Sequence, residues 1–252
     1  ECGLAFPDIT YGFYPVWAAL YGLEAKILPL NDDYEIDIDA YAGNERTIVI
    51  ANPNAPTGKA LTLAQIEKLL RMNPDHVVIV DEAYVDFGGE SCADLVEKYP
   101  NLLCVQTFSK SRSMAGARLG FGIGSPELIS DLRSIKYSTN PYNVNSMTMW
   151  AGIGQLEDEE TTRKNCRTIA ENRDYLTAEL RKMSFDVTDS RTNFVFAKSD
   201  RISGADLYSA LRERGILVRH FTAEKIAEYN RITVGTRDQV DALIDAIKDI
   251  LS

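Results

Sequence analysis

The sequence is organised around Thr107-Phe108-Ser109-Lys110, which follows the apolar residues 102–106 and lies eight positions before Arg118. An apolar run of this length predicts a buried strand. A lysine amine attacks an aldehyde only when it is partly deprotonated, a state favoured by desolvation or by a neighbouring cation such as Arg118. The hydroxyls of Thr107 and Ser109 and the Arg118 guanidinium are donors that suit a phosphate group. The alternative is that Lys110 is a solvated loop residue and that Arg118 pairs with a carboxylate.

A second candidate group lies upstream, at the end of the apolar residues 77–80. Asp81 follows this run directly, and Tyr84 lies three residues further on. Apolar, mostly β-branched residues predict a central strand, and α/β sheets bind their ligands at the carboxyl ends of such strands. An aldehyde, a phosphate and a ring nitrogen that pairs with Asp81 together describe pyridoxal phosphate (PLP), whose phenolic oxygen lies within reach of Tyr84. The sequence therefore predicts a PLP site that includes Asp81, Tyr84 and Lys110.

A third segment, Asn-Pro-Asn-Ala-Pro-Thr-Gly at residues 52–58, follows the predicted strand Thr47–Ala51. On its own it is a turn built from the usual turn residues. Taken in order, this segment, Asp-Glu-Ala-Tyr at 81–84 and Thr-Phe-Ser-Lys at 107–110 resemble the fold-type I PLP-dependent aminotransferases. Within that family the chain is most similar to the histidinol-phosphate aminotransferases. That narrower resemblance comes from residues 6–14, 141–145 and 231–236.

The resemblance implies a role for each matching residue. Lys110 bonds to the aldehyde carbon of PLP and later moves a proton, Asp81 pairs with the ring nitrogen, and Tyr84 contacts the phenolic oxygen. Tyr11 stacks on the ring; the alternative is that Tyr11 is one more core aromatic residue. The remaining cofactor contacts are the phosphate donors Thr107, Ser109 and Arg118.

One position departs from the family pattern. The family usually has an asparagine immediately before Pro-Thr-Gly, where it bonds the phenolic oxygen, and this chain has Ala55 there. Either Asn54 or Asn52 supplies the amide from a neighbouring position, or the contact is absent and Tyr84 alone serves the oxygen. Of the two asparagines we favour Asn54 as a cofactor-binding residue.

Three residues are candidates for binding the substrate. Asn143 lies in a segment rich in Pro, Asn and Tyr, and Arg219 and Arg231 lie at the ends of predicted strands. Two guanidinium groups can form bidentate hydrogen bonds with a phosphate or a carboxylate, and the resemblance places the anionic end of the substrate there. The alternative is an ordinary surface ion pair, which we favour more for Arg219 than for Arg231.

The implied reaction is transamination between an amino donor and a 2-oxo acid such as 2-oxoglutarate, carried out by a homodimer. The resemblance favours L-histidinol phosphate as the donor. An aromatic amino acid as donor and a phosphothreonine decarboxylase activity are the other enzymatic alternatives.

Composition excludes several other classes of function. The 27 basic and 37 acidic residues give a net charge of −10, which argues against nucleic acid or an anionic membrane as a partner. No apolar run reaches the length of a membrane span and no signal-peptide pattern opens the chain, so we expect a cytoplasmic protein. Two histidines and four widely spaced cysteines indicate neither a metal site nor a disulfide framework.

The order of predicted elements defines an α/β fold. Strands and helices alternate from residue 47 onward, which predicts a mainly parallel sheet with helices on both faces. We assign residues 1–150 to a large cofactor-binding domain. A long polar helix over residues 158–182 then links it to a smaller C-terminal α/β domain, so that residues 151–252 hold the interdomain helix and that domain.

The first residues lie inside the family pattern rather than before it. In the family, an N-terminal arm and a Gly-rich loop that leads into a helix precede the segment matching residues 6–14. We therefore expect the large domain to be incomplete at its N-terminus and cofactor binding to be weakened, since a helix N-terminus cradles phosphate well. The non-enzymatic alternative is that the chain is a catalytically silent folded fragment that binds a partner or a second copy of itself.

Overall fold

The computed structural model describes residues 3–252, and its larger β-sheet has the predicted mainly parallel arrangement. The strands are β1 (Gly3–Pro7), β2 (Glu24–Leu28), β3 (Thr47–Ala51), β4 (Val78–Asp81), β5 (Leu102–Thr107) and β6 (Gly120–Gly124). They lie in the order β2-β1-β3-β4-β5-β6. Every neighbouring pair is parallel except β5 and β6, which are antiparallel.

Helices cover both faces of this sheet, as the sequence predicts. Successive side chains of a strand point to opposite faces. On β3, Ile48 and Ile50 therefore join the core that includes Ile66, Leu69 and Leu70 of helix α2 (Leu63–Met72). Val49 and Ala51 point the other way and pack with Tyr14 of helix α1 (Tyr14–Leu20).

Two helix starts are capped by the side chain of the residue that precedes them. Thr62 accepts from the backbone N–H of Gln65, whose side chain in turn accepts from the Thr62 N–H, and this reciprocal pair fixes the start of α2. Ser125 caps α3 (Pro126–Thr139) by accepting one hydrogen bond, from the Leu128 N–H. No residue of α3 is buried, however, and Leu132, which shares a face of the helix with Leu128, is 43% exposed. The face is apolar, but within residues 3–252 it is largely uncovered.

The connecting segments differ in detail from the predicted alternation of strands and helices. Between β4 and β5, residues 93–97 form a 3-10 helix, Ala93–Glu97, in place of an α-helix. A helix that was not predicted, α4 (Ser146–Glu157), precedes the predicted long polar helix, α5 (Glu159–Lys182). Within residues 3–252, no helix combines the length and the apolar character that crossing a bilayer requires.

The second sheet has four antiparallel strands. They are β7 (Phe185–Val187), β8 (Phe194–Ser199), β9 (Arg219–His220) and β10 (Asn230–Thr233), in the order β7-β8-β10-β9. Helices α6 (Gly204–Glu213) and α7 (Arg237–Leu251) pack on it together with Leu176 and Leu180 of α5. These elements match the predicted small α/β unit, while the division at residue 150 stays a prediction.

Buried contacts join the two sheets close to the turn at residues 52–58. Gly58 accepts the Arg191 N–H at 2.8 Å, and Thr57 accepts the Thr188 hydroxyl at 2.6 Å. The buried guanidinium of Arg173 donates to the carbonyls of Phe87 and Thr192. Side chains of the smaller sheet are thereby held beside the carboxyl ends of β3 and β4.

Candidate active site

A cavity of about 780 Å³ lies at the carboxyl ends of β3, β4 and β5. This is the edge of the sheet at which α/β proteins bind ligands. The structure brings most of the predicted cofactor residues into its wall. They are Tyr11, Asp81, Tyr84, Thr107, Ser109, Lys110 and Arg118.

Asp81 ends β4 and is the acidic group of the cavity wall. Tyr14 donates its hydroxyl to Oδ2 at 2.9 Å, and the backbone N–H of Ala83 donates to Oδ1 at 3.1 Å. Burial raises the pKa of Asp81, and these two hydrogen bonds and the charge of Lys110 only partly oppose that effect. A cation placed against this carboxylate would compensate for its lost hydration.

Lys110 follows β5 and faces an aromatic side chain. Its Nζ lies 5.3 Å from the centre of the Tyr84 ring. The Tyr84 ring in turn packs edge-on against Phe194 of β8, with their centres 5.2 Å apart. The Lys110 side chain is exposed, so the described residues do not desolvate its amine.

The predicted phosphate donors surround the start of the loop after β5. The hydroxyls of Thr107 and Ser109 lie 3.0 Å apart, and the Ser109 N–H donates to the Thr107 hydroxyl. Arg118 has a left-handed backbone, with φ of 56°, and its guanidinium donates to the Ala115 carbonyl at 2.7 Å. The Thr107 hydroxyl donates to Ser109 or to the Leu119 carbonyl, so the Ser109 hydroxyl and the rest of the exposed Arg118 guanidinium are the donors left for an anion.

Asn54 is not placed as we predicted. Its amide nitrogen donates to the Ile9 carbonyl and the Thr57 hydroxyl, and its oxygen accepts from the Thr10 hydroxyl. The side chain is buried outside the cavity wall with all of its amide groups engaged. The geometry thus does not support a cofactor contact by Asn54, because the amide holds the turn onto β1 and the residues after it.

Neither Asn52 nor Ala55 offers a free hydrogen-bonding group to the phenolic oxygen of PLP. Asn52 is also buried, and its amide is bonded to the backbone of Leu61 in both directions. Ala55 does line the cavity, but its methyl group offers no hydrogen bond. Of the three possibilities raised by the sequence, the geometry favours the one in which Tyr84 alone serves the phenolic oxygen.

The three candidate substrate residues lie outside the cavity wall. Asn143 is exposed on the segment between α3 and α4. Arg219 and Arg231 are directly opposite partners on β9 and β10. The Arg231 guanidinium lies 5.0 Å from the centre of the Phe194 ring, the same ring that packs against Tyr84. This chain of contacts connects Arg231 to the cavity.

Neither arginine is neutralised within the part of the chain that the structure describes. No ion pair joins Arg219 or Arg231 to an acidic side chain among residues 3–252. The buried Nε of Arg231 also lacks a hydrogen-bond partner there. The surface-ion-pair alternative is thus not what the structure shows, and two adjacent positive charges remain for an anion.

Sequence reasoning assigned no role to Tyr14. Nothing in the local pattern indicated that its hydroxyl would meet Asp81, 67 residues further along the chain. It also missed a cluster of Glu82, Cys92 and Cys104, whose potential ligand atoms lie within 4.8 Å of one another. Both Glu82 oxygens already accept hydrogen bonds, from the Cys92 N–H, Ser91 and Gln106, and we assign the cluster no ligand.

Comparison with known proteins agrees with this geometry. The family model described as aminotransferase class I and II matches residues 1–247. A histidinol-phosphate aminotransferase from Acetobacter pasteurianus is 47% identical over 248 residues, which cover 98% of this chain and 70% of that protein.

Two solved structures share the fold. A histidinol-phosphate aminotransferase from Clostridium acetobutylicum superposes with a TM-score of 0.92 at 24% identity, over 99% of this chain and 78% of that one. One from Sinorhizobium meliloti, in complex with pyridoxal-5'-phosphate, superposes with a TM-score of 0.87 at 21% identity, over 100% of this chain and 71% of that one.

The fold is therefore that of a fold-type I aminotransferase. The chain belongs to the class I and II aminotransferase family, whose members depend on PLP.

Proposed function

We propose that this chain binds PLP in the cavity at the ends of β3, β4 and β5 and transfers the amino group of L-histidinol phosphate to 2-oxoglutarate. The products are imidazole-acetol phosphate and glutamate. The observation that carries this proposal is the meeting of Lys110, Asp81 and Tyr84 in one cavity wall. The choice of amino donor is supported by the named relatives at 44–47% identity over nearly the whole chain.

The cavity fits PLP in size and in chemistry. Its volume of about 780 Å³ lies in the range of small-molecule sites. Asp81 is a half-buried carboxylate that forms no ion pair among residues 3–252, and a protonated ring nitrogen would supply one. Ser109 and Arg118 offer donors to the phosphate, Thr107 orients the Ser109 hydroxyl, and Tyr84 offers a donor to the phenolic oxygen. Tyr11 is half-exposed in the wall and presents a ring for stacking.

Lys110 and Asp81 have different roles in the proposed reaction. When bound, PLP supplies an aldehyde that takes up the amino group and a ring that accepts the electrons of the broken Cα–H bond. Lys110 Nζ would hold the cofactor by bonding to its aldehyde carbon and, once freed as an amine, would take the proton from the substrate Cα and deliver it to that cofactor carbon. Asp81 keeps a proton on the ring nitrogen by its negative charge, and that charge is what makes the ring an effective electron acceptor.

The arginine pair provides a place for the anionic end of the substrate. Arg219 and Arg231 project from the same face of the small sheet because they are directly opposite across β9 and β10. A phosphate placed between them would neutralise both charges through charge-assisted hydrogen bonds. We propose Asn143 as a further contact on the substrate side.

The assembly and the compartment are also proposed. A homodimer is supported by apolar side chains left in solvent on α3 and α4, such as Ile135 and Trp150 at 60% and 72% exposure. A cytoplasmic setting is supported by the free thiols of Cys92, Cys104 and Cys166. Sedimentation analysis of the purified chain tests the first, with a dimer mass expected.

The competing reactions are separated by assaying three substrates. L-Histidinol phosphate with 2-oxoglutarate should give glutamate, while phenylalanine should react more slowly and O-phosphothreonine should release no carbon dioxide. Lys110→Ala should abolish glutamate formation, because no amine remains to move the proton. Lys59→Ala is the matched control, since Lys59 pairs with Glu35 outside the cavity wall. Faster turnover of phenylalanine, or carbon dioxide release, would replace the proposed donor with one of the alternatives.

A further inference from the structure

Tyr14 and Asp81 form a hydrogen bond below the cavity. Tyr14 lies in the first turn of α1, is 1% exposed, and donates its hydroxyl to Asp81 Oδ2 at 2.9 Å. Its ring is held edge-on by Phe6 and Tyr11, at centre distances of 6.0 and 5.6 Å. The hydroxyl is therefore fixed in place by packing on two sides.

We infer that Tyr14 is a positioning residue that keeps Asp81 ionised and aims its free lone pairs into the cavity. Tyr14 itself is not among the cavity-lining residues, and it touches that wall through its hydrogen bond to Asp81 and its ring contact with Tyr11. The Ala83 N–H fixes the other carboxylate oxygen. With one donor on each oxygen, the carboxylate cannot rotate without breaking a hydrogen bond.

The groups around Asp81 explain why its carboxylate needs a hydrogen-bond donor to stay ionised. Burial raises the pKa of Asp81, and the nearby Glu82 carboxylate raises it further. The Tyr14 hydroxyl, the Ala83 N–H and Lys110 act in the opposite direction. Burial, with Asp81 and Tyr11 adding to it, raises the pKa of Tyr14 far above its ordinary value. Tyr14 therefore stays a neutral donor over the whole working pH range.

The consequence for PLP rests on the proposed function. If Asp81 pairs with the ring nitrogen, loss of the Tyr14 hydroxyl should weaken that pairing by leaving the carboxyl protonated more often. The effect on Asp81 itself does not depend on any cofactor and can be measured on the chain alone.

The test is a carboxyl titration of the full chain. Aspartate labelled with ¹³C is followed by NMR against pH, and the Asp81 signal is identified by its loss in Asp81→Asn. Tyr14→Phe should move the Asp81 titration to higher pH. Tyr41→Phe should leave it in place, because Tyr41 is equally buried but its hydroxyl has no partner in the described structure. An Asp81 titration that is unchanged, or lower, in Tyr14→Phe would overturn the inference.

A measurement on the unmodified sequence covers the case in which Tyr14→Phe does not fold. The Tyr14 Cζ resonance should shift with the same midpoint as the Asp81 carboxyl, and this shift should vanish in Asp81→Asn. A Tyr14 Cζ resonance that does not shift with pH would also overturn the inference.

PLP titration of the same variants distinguishes the role of Tyr14 from the proposed pairing of Asp81 with PLP. If PLP affinity is equal in the parent, Tyr14→Phe and Asp81→Asn while the Asp81 titration moves, the proposed cofactor pairing fails and the role of Tyr14 stands.

Discussion

Arg219 and Arg231 lie directly opposite each other on antiparallel strands, and no acidic side chain within residues 3–252 neutralises either one. Like charges directly opposite each other destabilise a sheet. An anion bound between the two guanidinium groups would replace this repulsion with two attractive ion pairs. The pair therefore costs the small sheet some stability unless an anion is bound.

Inorganic phosphate should raise the unfolding temperature of the chain by binding between these arginines, since a ligand of the folded state stabilises it. The increment should shrink in Arg231→Gln and in Arg219→Gln. Thermal unfolding with and without phosphate measures it. Arg118→Gln is the comparison: if only that variant loses the increment, the anion binds near Ser109 and the arginine pair is not an anion site.

Asp81→Asn should gain stability relative to the parent as pH rises. A carboxyl whose pKa is raised on folding holds its proton more tightly in the folded than in the unfolded chain. Its contribution to stability therefore falls as pH rises above the ordinary aspartate value of about 3.9. The variant lacks this loss, so the difference in unfolding temperature, variant minus parent, should increase as pH rises above about 3.9 and level off once the folded-state carboxyl has also lost its proton. A difference that is constant or decreases with pH would contradict the burial of this charge.

Gly58→Ala should destabilise the chain by about 2–4 kcal/mol, from left-handed backbone strain and overpacking together. Gly58 has a φ of +78°, and a Cβ there would lie 2.4 Å from the Ser190 hydroxyl. Gly43→Ala is the control, because Gly43 has a φ of +58° with nothing within 4 Å of the added atom. It should cost only about 1 kcal/mol. Equal losses in urea unfolding would show that the turn at residues 52–58 is not packed tightly against Ser190.

Arg173→Met should cost about 2–4 kcal/mol in unfolding free energy, since it leaves the buried carbonyls of Phe87 and Thr192 without their donor. Arg191→Met should cost less than about 1 kcal/mol, because its pair with Asp189 is exposed. Both values come from urea unfolding. Similar losses in the two variants would mean that the Arg173 hydrogen bonds contribute little to joining the sheets.

The parts of the fold that follow from local pattern were predictable from the sequence. The run Thr47–Ala51 is apolar and β-branched, and it forms β3 with the predicted bounds. Thr62 and Ser125 cap the helices that follow them, because a cap depends only on residues within one turn. The cavity wall was predictable from the order of three short motifs, since each ends a strand at the same edge of the sheet.

What escaped prediction depends on contacts that are distant in sequence. Asn54 was predicted to contact the cofactor, but its amide is hydrogen-bonded to the carbonyl of Ile9 and the hydroxyl of Thr10. Neither contact can be inferred from the sequence of the turn. The Tyr14 hydroxyl reaches Asp81 only when α1 is packed on the face of the larger sheet that carries Phe6 and Val49. Arg219 and Arg231 were predicted as a pair, but their exact opposition is set by the register of β9 and β10.

The measurement that most directly tests PLP binding at Lys110 is peptide mapping after reduction. The chain is mixed with excess PLP, treated with borohydride, digested, and analysed by mass spectrometry, with Asp81→Asn run in parallel. We expect the pyridoxyl mass on the peptide that contains Lys110, at higher occupancy in the parent than in Asp81→Asn. Label on surface lysines such as Lys98 or Lys182 with Lys110 unmodified would contradict the assignment of this cavity as the PLP site.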